Sequence, residues 1–156
     1  MKILVPLDGS PTAEAAVPIA LRLAHAENAS VVLLTVTAVH PMPDPVPAEV
    51  DLVPIRTAEA YLDSVKHRLA GDYPNVSTAV WRGTPAAAIV RAAQEYKVDE
   101  IVMTTHGRTG AERDMFGSVA DAVLRAAPIP ILVLRPRRDA VRVPPGDAEP
   151  VTTARR

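Results

Sequence analysis

Five short runs of aliphatic and β-branched residues divide the chain, and helical patterns fill most of the sequence between them. Runs of this length predict strands, and the second one, SVVLLTV, is apolar at consecutive positions, as is typical of a buried parallel strand. The predicted strands are Lys2–Leu7, Ser30–Val36, Val76–Trp81, Glu100–Thr104 and Ile131–Leu134. Their alternation with helices predicts an α/β fold, namely one open, Rossmann-like parallel sheet with strand order 3-2-1-4-5 and helices on both faces.

Start and stop signals place the first two helices. Ser10-Pro11 is typical of an N-cap followed by proline in the first turn. A first helix is expected over Ala15–Ala26, with Pro18 kinking it or shifting its start. Five prolines predict a long loop over Ala38–Pro54, and apolar residues at helical spacing predict the next helix from Ile55 to Leu69.

Two further helices are predicted in the second half of the chain. Gly83-Thr84-Pro85 opens one of them, and the other begins near Ser118. The stripe expected to be buried on the first of these helices consists of Ala88, Ile89, Ala92 and Ala93.

Composition limits the class of protein. The chain has 156 residues, a net charge of −1 and no cysteine, which argue for one domain without disulfides, thiolate metal sites or a nucleic-acid-binding surface. No run of about 18 apolar residues occurs, so no membrane span is expected. The apolar run before Asp8 is too short for a signal peptide, so none is expected either. We therefore expect a cytoplasmic domain over residues 1–136, followed by a disordered tail over 137–156 that holds five arginines.

The segment after the fourth strand is longer than a turn requires. A strand-to-helix connection usually takes about two to six residues, whereas about a dozen separate Thr104 from the helix near Ser118. In an open parallel sheet the ligand site lies at the carboxyl ends of the strands, where strand order reverses. Asp8-Gly9-Ser10, Val36-Thr37 and the Thr104–Ser118 loop should meet there.

Glycines at both corners of this loop indicate a cradle for phosphate. Gly107 follows the strand and Gly117-Ser118 opens the helix, whose first N–H groups and dipole attract anions. The Ser118 hydroxyl either caps the helix or bonds a phosphate oxygen. Arg108 and Arg113 either neutralise phosphate charge or form a solvated loop face. A plain long turn is the alternative to the whole cradle.

The same residues resemble the universal stress protein family. The resemblance rests on Thr105-His106-Gly107, nine further residues and Gly117-Ser118, together with KILVPLDGS at the start and RGTPAAAIV at residues 82–90. It extends over residues 1 to about 136 and implies an adenine nucleotide alpha-hydrolase-like fold. It further implies the ATP-binding subgroup of a stress-response family, with ATP bound with or without Mg²⁺.

The resemblance also implies roles for individual positions. Asp8 and the main chain of Val36 fall on the adenosine positions, and Gly107, Gly117 and Ser118 fall on phosphate positions. The predicted site comprises Pro6, Leu7, Asp8, Val36, Met103, Thr104, Gly107, Arg108, Gly117, Ser118 and Val119. Thr104 departs from the family pattern, which has glycine there. Its Cβ could crowd a nucleotide, or its hydroxyl could donate to one.

Three functions follow as hypotheses. The first is a regulatory, ATP-binding stress-response protein, in which the proline-rich segment near the adenine side responds to the nucleotide. The second is a slow ATPase, with Asp8 as the candidate magnesium contact. The third is a nucleotide-independent, dimeric interaction module. The chain has neither a P-loop lysine nor a G-x-S-x-G elbow, so fast phosphoryl transfer and a Ser118-His106-Asp8 triad are not expected.

The last strand, Ile131–Leu134, should lie at an edge of the sheet. An exposed apolar edge favours pairing with a second copy, and the family resemblance also implies a homodimer through this strand. The partners expected from the sequence are therefore an adenine nucleotide, a second copy of the chain and a further protein, with neither nucleic acid nor membrane.

Overall fold

The computed structural model describes residues 1–38, 48–71, 73, 75–105 and 117–135. These residues form a single parallel sheet with strand order β3-β2-β1-β4-β5. The strands are β1 (Lys2–Leu7), β2 (Ser30–Thr37), β3 (Val76–Arg82), β4 (Glu100–Thr104) and β5 (Ile131–Leu134). The predicted five-stranded parallel sheet and its strand order are confirmed.

In the described part of the chain, five helices cover the two faces of the sheet. They are α1 (Pro11–Glu14), α2 (Val17–Glu27), α3 (Ala48–Leu69), α4 (Pro85–Glu95) and α5 (Ser118–Ala126). Alternate residues of a strand point to opposite faces, so Val5 and Leu33 pack with α1, α2 and α3, while Leu4 and Leu34 pack with α4 and α5. The predicted stripe on α4 is buried against this second face. Among these helices, as far as they are described, none combines the length and apolarity that a bilayer crossing demands.

The expected first helix is in fact two helices. Ser10 caps α1, because its Oγ accepts a hydrogen bond of 3.1 Å from the Ala13 N–H, and Pro11 follows in the first turn. A short turn interrupts the helical path, and α2 then starts at Val17 with Pro18 in its first turn. Proline has no N–H to donate but suits the first turn of a helix. Pro18 therefore moved the start of a helix and did not kink one.

The expectation of a loop through Pro54 is wrong. Helix α3 already begins at Ala48, with Pro54 inside it. This part of the helix is solvent-exposed at Leu52 and Val53, and the Thr57 hydroxyl donates to the Val53 carbonyl at 2.9 Å. Downstream, Ala58, Leu62 and Val65 anchor the helix on the sheet by burial. That burial offsets the local cost of proline, which the sequence pattern treated as a boundary. The rest of the predicted loop, residues 39–47, lies outside the described residues, as does the predicted tail.

Candidate functional site

A cleft lies where β1 and β4 stop pairing. Strand β1 pairs with β2 along its whole length, from Lys2 opposite Ser30 to Leu7 opposite Thr35. Its pairing with β4 in the described part consists of Ile3 with Glu100 and Leu4 with Ile101. The carboxyl ends of these two strands therefore share no ladder. This is also the point at which strand order reverses, the expected place for a ligand in an open α/β sheet.

A cavity of about 250 Å³ occupies this cleft. Its wall contains every predicted site residue that the structure describes. These residues are Pro6, Leu7, Asp8, Val36, Met103, Thr104, Gly117, Ser118 and Val119. The remaining two predicted residues, Gly107 and Arg108, lie outside the described residues, as do His106 and Arg113. The structure thus brings together segments that are far apart in the sequence.

Several wall residues were not identified from the sequence. They are Ala13, Leu34, Pro85, Ile89, Thr105 and Ala120. Leu34 could have been found, because it precedes Val36 by two positions and so shares its face of the strand. Pro85 and Ile89 come from α4, and no pattern in the sequence shows how closely that helix approaches the carboxyl ends of the strands.

Asp8 is held in one orientation by the residue two positions later. Its Oδ1 accepts hydrogen bonds from the Ser10 N–H at 3.0 Å and from the Ser10 Oγ at 2.6 Å. Gly9 between them has φ of +81°, a left-handed conformation that glycine adopts without strain. Because the same Ser10 Oγ caps α1, a chain of hydrogen bonds links the carboxylate to the start of that helix. The half-buried carboxylate presents an acceptor at the cavity wall.

The charge of Asp8 also reaches α3. Burial raises the pKa of Tyr61 above its ordinary value, as do a hydrogen bond to Glu14 and the negative charges of Glu14 and Asp8, while Arg68 lowers it. The Tyr61 hydroxyl donates to Glu14 at 3.0 Å, and Arg68 donates to the other Glu14 oxygen at 2.6 Å. These contacts tie α1, which directly follows the Asp8 turn, to α3.

The N-terminus of α5 forms another part of the wall. Gly117 is its N-cap residue, and the first intrahelical bond runs from the Asp121 N–H to the Gly117 carbonyl at 3.0 Å. The N–H groups of Ser118, Val119 and Ala120 therefore have no partner within the helix, and the helix dipole adds partial positive charge there. This arrangement favours an anion.

Two expectations about the start of α5, at Gly117 and Ser118, are revised. The Gly117 N–H donates to the Thr105 carbonyl at 2.5 Å, so the amide available for an anion is that of the next residue. Gly117 has φ of −62° and ψ of 150°, an extended conformation that does not require glycine. Ser118 is the first helical residue and is exposed. Gly117 and not Ser118 occupies the N-cap position, so the capping role considered for Ser118 is not observed.

Thr104 does not fill the cavity. It is 6% exposed and lies in the wall, and the cavity persists beside it. Met103 belongs to the apolar cluster on the α4–α5 face and Val102 to the other cluster. Alternation along β4 therefore turns the Thr104 side chain toward the α1 side. No group of three or more histidine, aspartate or glutamate side chains that could hold a metal ion occurs among the described residues.

Comparisons with known proteins agree on one family. The sequence model of the Universal stress protein family matches residues 1–135. A universal stress protein of Methanocaldococcus jannaschii is 33% identical over 138 residues, which cover 86% of this chain and 81% of that protein. Mycobacterial universal stress proteins match at 32% identity, and the alignment covers 45% of their length.

Solved structures share the fold over the same region. The universal stress protein UspA from Lactobacillus plantarum superposes with a TM-score of 0.77 at 28% identity, covering 86% of this chain and 97% of that chain. A universal stress protein solved in complex with cAMP superposes with a TM-score of 0.68 at 23% identity, covering 86% of this chain and 96% of that chain. At that identity the second likeness concerns the fold alone.

Proposed function

The chain belongs to the universal stress protein family, and we propose that it is an ATP-binding regulatory member of that family. The observation that carries this proposal is the cavity at the carboxyl ends of β1 and β4. It joins an oriented carboxylate, an apolar wall and the N-terminus of α5 in one space. A nucleotide needs these three environments, one for each of its chemically different parts.

Each part of the nucleotide has matching residues in the wall. Val36, Ile89 and Met103 offer apolar surface that suits a purine ring. Asp8 accepts a hydrogen bond from a ribose hydroxyl or an exocyclic amine. The first amides of α5 suit phosphate oxygens. Asp8 is also the residue that would contact Mg²⁺ if the metal accompanies ATP. AMP and cAMP share the nucleoside part, so both are tested beside ATP.

We propose that the site holds the nucleotide and does not turn it over rapidly. Asp8 is the one ionisable side chain among the described wall residues, and its Oδ1 is engaged by Ser10. Rapid phosphoryl transfer normally uses several positioned charges around the γ-phosphate. Phosphate release from ATP should therefore be slow, and it is compared with release by the Gly117→Val variant. A rate far above that of the variant would contradict this view.

The first experiment identifies what the purified protein contains. The protein is denatured without added nucleotide, and the released small molecules are identified by chromatography and mass spectrometry. ATP, AMP and cAMP are then titrated while the fluorescence of Trp81 is followed. This is the only tryptophan of the chain, and it lies in register beside Val36 of the cavity wall. We expect saturable binding of ATP. A protein that neither releases nor binds an adenine nucleotide would contradict the proposal.

A pair of variants tests the phosphate end of the site. Ser118→Pro removes one anion-facing amide, and both the first helical position and the extended conformation of Gly117 accommodate proline. Ser118→Ala keeps that amide and removes only the hydroxyl. Loss of one charge-assisted hydrogen bond should weaken ATP binding by about tenfold in the proline variant. Equal affinities of Ser118→Pro and the unmodified protein would place the phosphates elsewhere.

We further propose a homodimer through β5. All four residues of this edge strand are only half-buried. The Pro130 and Leu134 carbonyls accept hydrogen bonds from β4 residues and the segment that follows, so the intervening Ile131 and Val133 direct their backbone groups outward. Sedimentation should give twice the chain mass of 16.6 kDa, and Val133→Pro should give a monomer by removing an outward amide. An unmodified protein that sediments as a monomer would exclude the dimer.

A further inference from the structure

A proline occupies the central strand of the sheet. Pro6 lies in β1, which has β2 on one side and β4 on the other. Proline cannot donate to a ladder, so within sheets it is normally confined to edge strands, strand starts and bulges. Places where a chain breaks such a rule tend to be functional sites. Pro6 lies in the wall of the cavity.

The missing donor of Pro6 faces β4. The N–H and C=O of one strand residue point to the same neighbour, and successive residues alternate between the two neighbours. The Met1 carbonyl accepts from Ser30, which opens β2, whereas the Lys2 carbonyl accepts from Asp99, which precedes β4. The Lys2 N–H also points to that side, donating to the Asp99 carboxylate at 2.7 Å. The backbone groups of residues 2, 4 and 6 therefore all point toward β4.

The ladder between β1 and β4 stops before Pro6, the residue whose missing N–H would face β4. Pairing between β1 and β4 reaches Leu4 opposite Ile101 in the described residues. The next β1 residue directed at β4 is Pro6, which has no hydrogen to give. On the other side of the same strand, pairing with β2 continues to Leu7. The missing N–H of Pro6 thus lies on the β4 side of β1, at the point where the cleft begins.

We infer that Pro6 keeps β1 and β4 apart beyond Leu4 and thereby sets the width of the nucleotide cleft. An amide at position 6 extends the ladder toward Met103 and Thr104 and draws the two strand ends together. A ligand must then break the added hydrogen bond before it can enter. The inference rests on the proposed function for its ligand, although the state of the ladder itself is measurable without one.

The test compares two prolines of the same cavity. Pro6→Ala restores an amide that faces β4. Pro85→Ala removes the same ring atoms from the wall, but at the first position of α4, where an added amide has no ladder to join. Three quantities are measured in both variants: protection of the new amide against hydrogen exchange, affinity for ATP and the midpoint of thermal unfolding.

We expect the new amide at position 6 to be protected and the affinity for ATP to fall about fivefold to tenfold, the factor that corresponds to one net hydrogen bond. Thermal stability should be retained or increased. Pro85→Ala should weaken binding less, with its new amide exchanging freely. A wild-type protein that binds no adenine nucleotide would remove the proposed function, while exchange at position 6 would still decide whether proline ends the ladder.

Three results would overturn the inference. In the first, the amide at position 6 exchanges freely, so proline does not end the ladder. In the second, that amide is protected but ATP binds with unchanged affinity, so the ladder does not set the cleft. In the third, both variants lose the same affinity, so the ring acts only through contact with the ligand.

Discussion

Strand β1 has a neighbour on each side, and the two junctions differ along their length. Toward β2 the ladder is complete, and residues such as Val5 and Leu33 beside it are fully buried. Toward β4 the described ladder stops after Leu4, and polar groups collect beyond it at Asp8 and Thr104. The candidate site therefore does not need an inserted domain. It arises where one ladder of an otherwise continuous sheet ends early.

We call the β2 side of β1, where the ladder is complete, the closed side, and the β4 side the open side. The largest effect is expected when a proline is placed on the closed side. Val5→Pro removes an amide that faces β2 and also loses apolar contacts of a side chain with 0% exposure. An unpaired buried carbonyl together with the lost packing should cost about 3 kcal/mol of unfolding free energy. Urea unfolding would measure this loss. A midpoint like that of the unmodified protein would show that the two junctions tolerate proline equally.

The open side should respond in binding and not in stability. Asp8→Asn keeps an oxygen that can accept the two Ser10 hydrogen bonds but removes the charge. We expect ATP affinity to fall about tenfold or more, because a charge-assisted hydrogen bond is lost. The control is Asp99→Asn, a carboxylate near the amino ends of the strands that accepts from Lys2. Equal binding by these two variants would contradict a ligand role for Asp8.

An unsatisfied hydroxyl on the closed side gives a smaller effect of opposite sign. The Thr35 Oγ is buried and finds no hydrogen-bond partner among the described residues. Thr35→Val has nearly the same shape and should raise the unfolding free energy by about 1 kcal/mol. Thr37→Val is the matched control, because that hydroxyl donates to the Trp81 carbonyl at 3.2 Å and its loss should not stabilise. Destabilisation by Thr35→Val would contradict the view that this hydroxyl is unsatisfied.

The smallest effect is expected at the exposed contact between α1 and α3. Arg68 and Glu14 form an ion pair of 2.6 Å, with side chains 54% and 31% exposed. Solvent screens such a pair, so Arg68→Ala should cost about 0.5 kcal/mol of unfolding free energy. ATP affinity should not change. A clear loss of affinity, measured by the same titration of Trp81 fluorescence, would show that the ties between α1 and α3 support the Asp8 turn.

Features that neighbouring residues encode were predicted accurately, whereas features that depend on contacts between distant parts of the chain were not. The bounds of β1, β4 and β5 and the start of α5 were predicted correctly, since aliphatic runs and local helix signals define them. Pro54 was misjudged because the decisive contribution, burial of α3 against the sheet, comes from residues further along the helix. Pro18 was left open between a kink and a new start, and only the turn before α2 decided the matter.

The same contrast applies to the residues of the candidate site. Residues at strand ends, such as Asp8 and Val36, were found because topology brings the carboxyl ends of parallel strands to one edge. Pro85 and Ile89 were missed because their place in the wall depends on how α4 docks. The use of the Gly117 amide by Thr105 was also out of reach, since it depends on the distance between two segments that a long loop separates.

The sequence by itself determined the parallel sheet, its family and the strand end that bears Asp8, because local periodicity and turn residues encode these features. Only the tertiary structure decided that β1 is closed on one side and open on the other. Which neighbouring strand a backbone amide points to depends on strand register. Register is set by packing across the sheet, and it is not visible in the order of the residues alone.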